Sequence, residues 1–498
     1  MTQIKDIISN RQLTYRQKMV QLATAAENTL ELNGLSEDIR DYMQKNIICD
    51  LYEGNAPYRP RYVLPDYEKF MKNGSDFLNL QPPKNLPEAL NSLQIIYRHV
   101  PSITSFPVYL GRLDKLLNPF IEDEKTAFEL IKLFLTQIDR TLSDSFVHAN
   151  IGPEDSKAAR LILKAEAELQ NAVPNLSLLY DEDITPDELA LEAVRTGLKA
   201  AKPYFVNHKM YVNDYGENYG IASCYNGLPV GGGSYTLVRM NLKHLAREAA
   251  DTDDFFNRIL PKGAELMCRL TDARIAFLRG ESGFFESDFL VKEGLISPDR
   301  FTAMFGLHGL AECVNNLRQA TELKQKFGHN ETADRLGERI VKAIDDEVNK
   351  HRNPYCKITD GKFLLHAQCG IGTDKDTSPA CRIPAGEEPE TLQQILQASL
   401  YHKYFPSGIS DIFTFDETAE TNPQFLLDIA KGAMKSGIRS FAFYKNNADL
   451  IRITGYLVKK SDMQKYKKGE LNREATVALG TPARESLKID QRKIVHFD

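Results

Sequence analysis

Cys224 closes a short apolar run, Ile221-Ala222-Ser223-Cys224, and is followed at once by Tyr225-Asn226-Gly227-Leu228-Pro229-Val230-Gly231-Gly232-Gly233. A thiol in that setting can serve as a nucleophile, a metal ligand or a small buried apolar group. An ionic nucleophile needs a base and a depressed pKa, and only His208 and His244 lie near it along the chain. A zinc site could draw on Cys356, His366, Cys369 and Cys381, but their spacing is irregular where zinc sites have tight pairs. Gly231-Gly232-Gly233 lacks the Lys-Ser/Thr of a phosphate-binding loop and the strand-to-helix setting of a dinucleotide fingerprint. Near the far end, Leu450-Ile451-Arg452-Ile453-Thr454-Gly455-Tyr456-Leu457-Val458 sets a glycine between an arginine-bearing apolar run and an aromatic. Taken alone, a Gly-Tyr there reads as a turn between strands.

Together these two stretches say more. Leu450 to Val458 resembles the C-terminal signature of the glycyl radical enzymes, in which the glycine of an Arg-aliphatic-small-Gly-Tyr run becomes a stable carbon radical; Leu450 and Thr454 depart from the commonest residues. That chemistry requires glycine, because a planar α-carbon flanked by amide and carbonyl delocalises the unpaired electron and a side chain would crowd it. Ile221 to Gly233, continuing through Ser234 to Asn241-Leu242, is similar to the family's cysteine loop: a short strand ending in a cysteine at a hairpin tip, a glycine-rich segment, and an Asn-Leu that opens a long helix. Phe301 to Leu310, with Gly306-Leu307, resembles a segment of anaerobic ribonucleotide reductases. From Ile48-Cys49-Asp50-Leu51-Tyr52-Glu53-Gly54 and Arg61-Tyr62-Val63-Leu64-Pro65-Asp66-Tyr67 onward, nearly the whole chain is similar to the YjjI-like glycine radical proteins.

The resemblance implies that Gly455 carries the radical and takes a hydrogen atom from Cys224, whose thiyl then takes one from a substrate carbon. Arg452 and Tyr456 would support the radical loop, and the glycine run would allow close backbone approach to it. Tyr225, His308, Ser407 and Asp411 are candidate substrate contacts, to which a core or capping role is equally open. No cofactor is expected to be permanently bound and no metal is expected. The radical would be installed by a separate radical S-adenosylmethionine activase carrying an iron–sulfur cluster, and the chain could form a homodimer. Ser223 stands where pyruvate formate-lyase has a second cysteine, and Asn226 where the diol and glycerol dehydratases keep a glutamate. The paired zinc-binding Cys-x-x-Cys motifs of the anaerobic reductases are absent before Gly455. A different class stays open, a barrel-fold small-molecule-binding or regulatory protein that has lost radical chemistry.

Composition sets the frame for these motifs. The chain has 498 residues, 42% hydrophobic and 26% charged, with a mean hydropathy of −0.37, enough for a large core. Its net charge of −6 comes from interspersed residues, so no basic stripe argues for nucleic acid or a membrane surface. Met1-Thr2-Gln3-Ile4-Lys5-Asp6 lacks a signal peptide's build and no run reaches membrane-spanning length, so a cytoplasmic location is expected. Seven scattered cysteines read as reduced thiols.

The elements that must position Cys224 and Gly455 follow from periodicity. Residues 1–175 read as an N-terminal mainly helical region, with amphipathic runs near Tyr15–Leu32, Glu37–Tyr52, Pro87–Val100, Lys125–Phe146 and Asp155–Gln170. Residues 176–445 alternate short strands with helices, an α/β core; 446–498 would form the C-terminal glycyl radical domain. Strands are expected at Tyr204–Tyr211, Gly220–Cys224, Phe363–Cys369, Ile409–Phe415 and Ser440–Phe443. Thr185-Pro186-Asp187-Glu188, Ser297-Pro298 and Asn422-Pro423 read as helix starts with a capping residue before proline. The resemblance sharpens α/β to a ten-stranded α/β barrel of two five-stranded halves, with both loops threaded into its centre. Enclosure suits the chemistry, since a thiyl attacks any accessible C–H or thiol.

Overall fold

The computed structural model describes residues 2–32, 35–50, 53–54, 56–104, 106–367, 374–375 and 377–497. In chain order the strands are β1 (Ile48–Cys49), β2 (Tyr62–Leu64), β3 (His148–Ile151), β4 (Asn175–Tyr180), β5 (Tyr204–Asn207), β6 (Tyr219–Ala222), β7 (Asn226–Pro229) and β8 (Gly232–Asn241). They continue with β9 (Phe301–His308), β10 (Leu364–Ala367), β11 (Asp411–Phe415), β12 (Ser440–Lys445), β13 (Leu450–Arg452), β14 (Leu457–Lys459) and β15 (Ile494–Val495).

Two sheets face each other as the halves of an α/β barrel. In one, β3, β4 and β5 run parallel, β12 lies antiparallel to β5, β11 pairs parallel with β12, and β15 adds an edge. The crossovers are amphipathic helices, Lys157–Leu169 between β3 and β4 and Asp187–Ala200 between β4 and β5. The first buries Ala158, Ala159, Leu161, Ile162 and Leu163 against the sheet, each leucine or isoleucine contributing roughly 1.5–3 kcal/mol. In the other half, β8 is flanked by antiparallel β1 and β2 and by parallel β9, which pairs with β10.

Main-chain hydrogen bonds cross both seams. Residues 103–104 and 106–112 lie between β2 and β3: Ile103 N donates to Arg61 O, while Leu110 N donates to His148 O and Asn150 N to Gly111 O. On the far side Ala367 N donates to Gly408 O, joining the end of β10 to the entry of β11. Buried charges brace the β2–β8 side: Glu53 accepts from Arg61 at 2.9 Å and pairs with Arg274 of helix Leu260–Gly280 at 3.2 Å. No helix is long and apolar enough to cross a membrane among the described residues.

The helical readings land at Tyr15–Glu27, Glu37–Gln44, Leu86–Tyr97, Glu124–Thr141 and Lys157–Leu169. Several local expectations are corrected. β1, β2 and β3 arise within the stretch read as helical; β3 is only four residues and is buried on both faces, so it carries no strong alternation. Tyr204–Tyr211 is a strand only to Asn207, whose side chain accepts from Met210 N at 3.3 Å and starts helix His208–Tyr215. Thr185 does not cap the helix after it, because its hydroxyl accepts from Asp181 N; Asn422 and Ser297 do cap theirs. Asn241 opens only Leu242–Ala246, and the long helix Leu260–Gly280 starts afresh beyond Asp251 and a π turn at Phe255–Ile259. The glycine run serves β2 and residue 300 rather than the radical loop: a Cβ on Gly233 would overlap the Tyr62 carbonyl oxygen, and one on Gly232 the Arg300 carbonyl oxygen. Of the Phe363–Cys369 strand, Cys369 lies outside the described residues.

Candidate active site

Two antiparallel hairpins enter the barrel. β6 and β7 pair from Tyr219↔Pro229 to Ala222↔Asn226, leaving Ser223-Cys224-Tyr225 at the tip, where Ser223 takes a left-handed φ of 57°. β13 and β14 pair Arg452↔Leu457, with Ile453 N closing onto Tyr456 O at 3.1 Å, leaving Thr454-Gly455 at the tip. The tips touch. A methyl group on Gly455 would overlap Cys224 Cβ and stand 2.9 Å from Cys224 Cα and 2.8 Å from Tyr225 Cε1. Here glycine is demanded by space alone, since its φ is not in the left-handed region.

Inward side chains of the first sheet hold the cysteine hairpin by its main chain. Asn150 acts as a surrogate peptide, donating to Ile221 O and accepting from Ile221 N, both at 2.9 Å. His148 Nδ1 lies 2.7 Å from Ser223 O; a carbonyl only accepts, so Nδ1 carries the hydrogen and Nε2 accepts from the Ser177 hydroxyl at 3.2 Å. Burial drives the His148 pKa down to about 3, so this ring stays neutral. The Tyr204 hydroxyl donates to Cys224 O at 2.7 Å. Each carbonyl flanking the thiol is thereby fixed, and Cys224 itself is 4% exposed.

The glycine hairpin is held through Gly455's carbonyl. Asn175 Nδ2 donates to it at 2.9 Å, and Arg452 Nη1 approaches at 3.5 Å. Arg452 is fully buried, lies 4.9 Å over the Tyr204 ring, and bonds Asn175 Oδ1 at 3.3 Å. Desolvation pulls its pKa down to about 10, against the raising pull of Tyr204, Cys224 and Tyr225. Tyr456 packs on Phe146, ring centres 5.2 Å apart and ring planes tilted by 52°.

The other candidates divide. Tyr225 belongs to the contact itself, and its hydroxyl bonds Arg382, whose Nε donates to Ser410 O at 2.8 Å. Ser407 is spent on structure: its hydroxyl donates to Leu365 O at 2.7 Å and its carbonyl accepts from Gly227 N, one rung below the tip of the cysteine hairpin. Asp411 accepts from Gln394 at 2.8 Å, and burial raises its pKa. With Arg382 and Arg492 it lines a cavity of about 290 Å³ between the barrel rim and the C-terminal segment. His308 is wholly buried beside Asp374, 3.9 Å away, which also pairs with Arg239; this cluster sits at the ends of β8 and β9. Cys356, Cys381 and His366 form no group able to hold a metal among the described residues, and Cys369 lies outside them. Burial lifts the Cys356 thiol to about 12 and Cys381 higher still.

His148, Asn150, Asn175, Ser177, Tyr204 and Arg382 escaped the sequence reading. A signal was there: His148 and Asn150, and Asn175 and Ser177, are polar pairs at strand spacing inside otherwise apolar runs, which puts each pair on one sheet face.

The family described as glycyl radical enzyme, YjjI-like, matches residues 13–495. The chain belongs to this family. A protein of Haemophilus influenzae is 44% identical over 497 residues, covering 99% of this chain and 97% of its own. The protein YjjI of Escherichia coli is 44% identical over 494 residues, covering 98% and 95%. Among solved structures, this YjjI-like chain is similar to the Thermotoga maritima anaerobic ribonucleotide reductase in complex with dATP and CTP, at a TM-score of 0.70 and 13% identity, covering 93% of this chain and 92% of that one. It is also similar to the B12-independent glycerol dehydratase of Clostridium butyricum, at 0.69 and 14%, covering 100% and 88%. Those identities speak for the fold: the YjjI-like chain has the glycyl radical enzyme barrel.

Proposed function

We propose that this YjjI-like glycyl radical enzyme stores its radical on the Gly455 α-carbon and works through a Cys224 thiyl on a small organic substrate without oxygen. The supporting observation is the contact of the two tips, buried and with no side chain between Gly455 and Cys224. Hydrogen-atom transfer needs reacting atoms roughly 3–3.5 Å apart, a separation that this packing permits. The Gly455 radical takes the hydrogen atom of the Cys224 S–H and becomes an ordinary glycine. The resulting sulfur radical takes a hydrogen atom from a substrate carbon, restoring the thiol and leaving the radical on substrate. After rearrangement, return of the hydrogen atom regenerates the thiyl and then the glycyl radical. A separate cytoplasmic radical S-adenosylmethionine activase supplies the first radical by removing one Gly455 Hα, and no cofactor stays bound. Arg452 and Tyr456 support the loop; Tyr225 and Asp411 are the substrate contacts favoured by position, ahead of Ser407 and His308.

The test is anaerobic activation followed by electron paramagnetic resonance. A doublet split by the one remaining Hα is expected, and air should then cut the chain at Gly455, because oxygen adds to the carbon radical. A chain that gives no doublet with any activase and stays whole in air would be a barrel-fold binding protein.

A further inference from the structure

The two hairpins come from widely separated parts of the chain, yet one side chain bonds both. Asn175, wholly buried at the start of β4, points Nδ2 at Gly455 O, 2.9 Å away, and at Ser223 O, 3.4 Å away. Its Oδ1 accepts from Arg452 at 3.3 Å and from Leu176 N at 3.0 Å. We infer that Asn175 is the positioning residue of the radical relay, which sets the approach of Gly455 to Cys224 and polarises the carbonyl onto which the glycyl radical delocalises. This rests on the radical reading of Gly455 and Cys224.

Two physical effects carry the inference. A hydrogen bond to an amide oxygen favours the form with negative charge on that oxygen, and the captodative radical draws on that form, so the bond tunes where the unpaired electron resides. The same amide also gauges distance. The residue before Cys224 and the carbonyl of Gly455 share one donor group on a rigid parallel strand, so neither tip shifts sideways without losing a buried bond. Transfer between the tips is steep in distance, and misplacement by about 1 Å costs on the order of a hundredfold. Arg452 cannot replace Asn175, because its own contact with the Gly455 carbonyl is longer and its other arm needs Asn175 Oδ1.

The relay can be read without knowing the substrate. In D2O the Cys224 thiol becomes S–D; transfer to the Gly455 radical gives a CHD carbon and a thiyl, and return of the protium to sulfur leaves a deuterated radical. The doublet therefore collapses at the rate of the relay. In activated Asn175→Ala and Asn175→Leu the doublet should persist, while its collapse slows at least about tenfold, the factor for one lost buried hydrogen bond. Its coupling to carbonyl-13C glycine should also change, a readout that a merely structural role would not move. Wild-type collapse rate and coupling in folded variants would overturn the inference and leave the radical reading standing. A wild-type protein without any doublet would overturn the radical reading, and this inference with it. If both variants fail to fold, wild-type protein with side-chain 15N-asparagine decides: a 15N coupling to the radical supports the bridge, and its absence overturns it.

Discussion

Arg492 grips the glycine hairpin by the carbonyls of Arg452 and Ile453, donating to them at 2.8 and 2.6 Å. The C-terminal segment is thus fastened to the strand that carries Gly455, and β15 fastens it in turn to the barrel edge at β11. On the radical reading proposed above, an activase would reach the buried Gly455 α-carbon only after this hairpin leaves the interior. Arg492→Ala should ease that departure by roughly 2 kcal/mol, or about 30-fold in the opening equilibrium. Amide exchange over residues 450–458 should speed up accordingly and radical installation should accelerate; unchanged exchange would show that Arg492 does not hold the hairpin.

Cys224→Ser should accept a radical on Gly455 and go no further, since an O–H bond is too strong for easily reversed transfer. The expected signature is a doublet that does not collapse in D2O. Cys49, Cys268, Cys313, Cys356, Cys369 and Cys381 should each tolerate serine or alanine, with melting shifts that reflect losses of about 1–2 kcal/mol for the buried ones. Collapse in Cys224→Ser would move the relay to another thiol.

Gly455→Ala tests space and chemistry together. The added methyl overlaps Cys224 Cβ, so the tips must part, at about 1–3 kcal/mol of overpacking strain. Calorimetry should show a lower Tm, and activation should yield neither doublet nor air cleavage. A doublet from this variant would place the radical elsewhere.

Burial raises Glu474 to about 7, against the lowering pull of Arg473 and with Asp144 and Asp462 adding to the rise; Asp144 is raised to about 7 by burial as well. Both sit where the C-terminal segment docks, beside the bond from Ala475 N to Ser143 O. A carboxyl with a raised folded-state pKa stabilises docking fully below its unfolded pKa, near 4, and that stability is lost as pH rises through 7. For Glu474 the loss is on the order of 3 kcal/mol. Opening of residues 472–478, after correction for intrinsic exchange, should increase from pH 5 to 8, and Glu474→Gln should flatten that dependence.

The parts of the site that could be read from sequence are those where chemistry restricts residue type. Gly455 cannot be anything else at a contact this tight, and Cys224 stands between an apolar run and glycines, so both were visible as motifs. The framework was less visible. Asn175 and His148 act through main-chain carbonyls that carry no mark in the sequence, and they lie on strands buried on both faces, whose apolar runs resemble buried helix. Gly232 and Gly233 were visible as unusual but not as to partner, because close approach to Tyr62 and Arg300 is a property of sheet register. The helical periods around Tyr15–Glu27 and Lys157–Leu169 were plain, since one face of each stays wet.

The docking of residues 460–497 bears on how this protein would age. A cut at Gly455 severs one covalent bond, but the piece beyond it remains attached through β15, through Arg473 on Asp139 at 2.9 Å, and through Gln17 on the Asn472 carbonyl at 3.1 Å. A nicked molecule should keep its native hydrodynamic radius and its circular dichroism, and separate into two bands only under denaturing conditions. Inventories of intact particles would therefore overcount working enzyme after a breath of air.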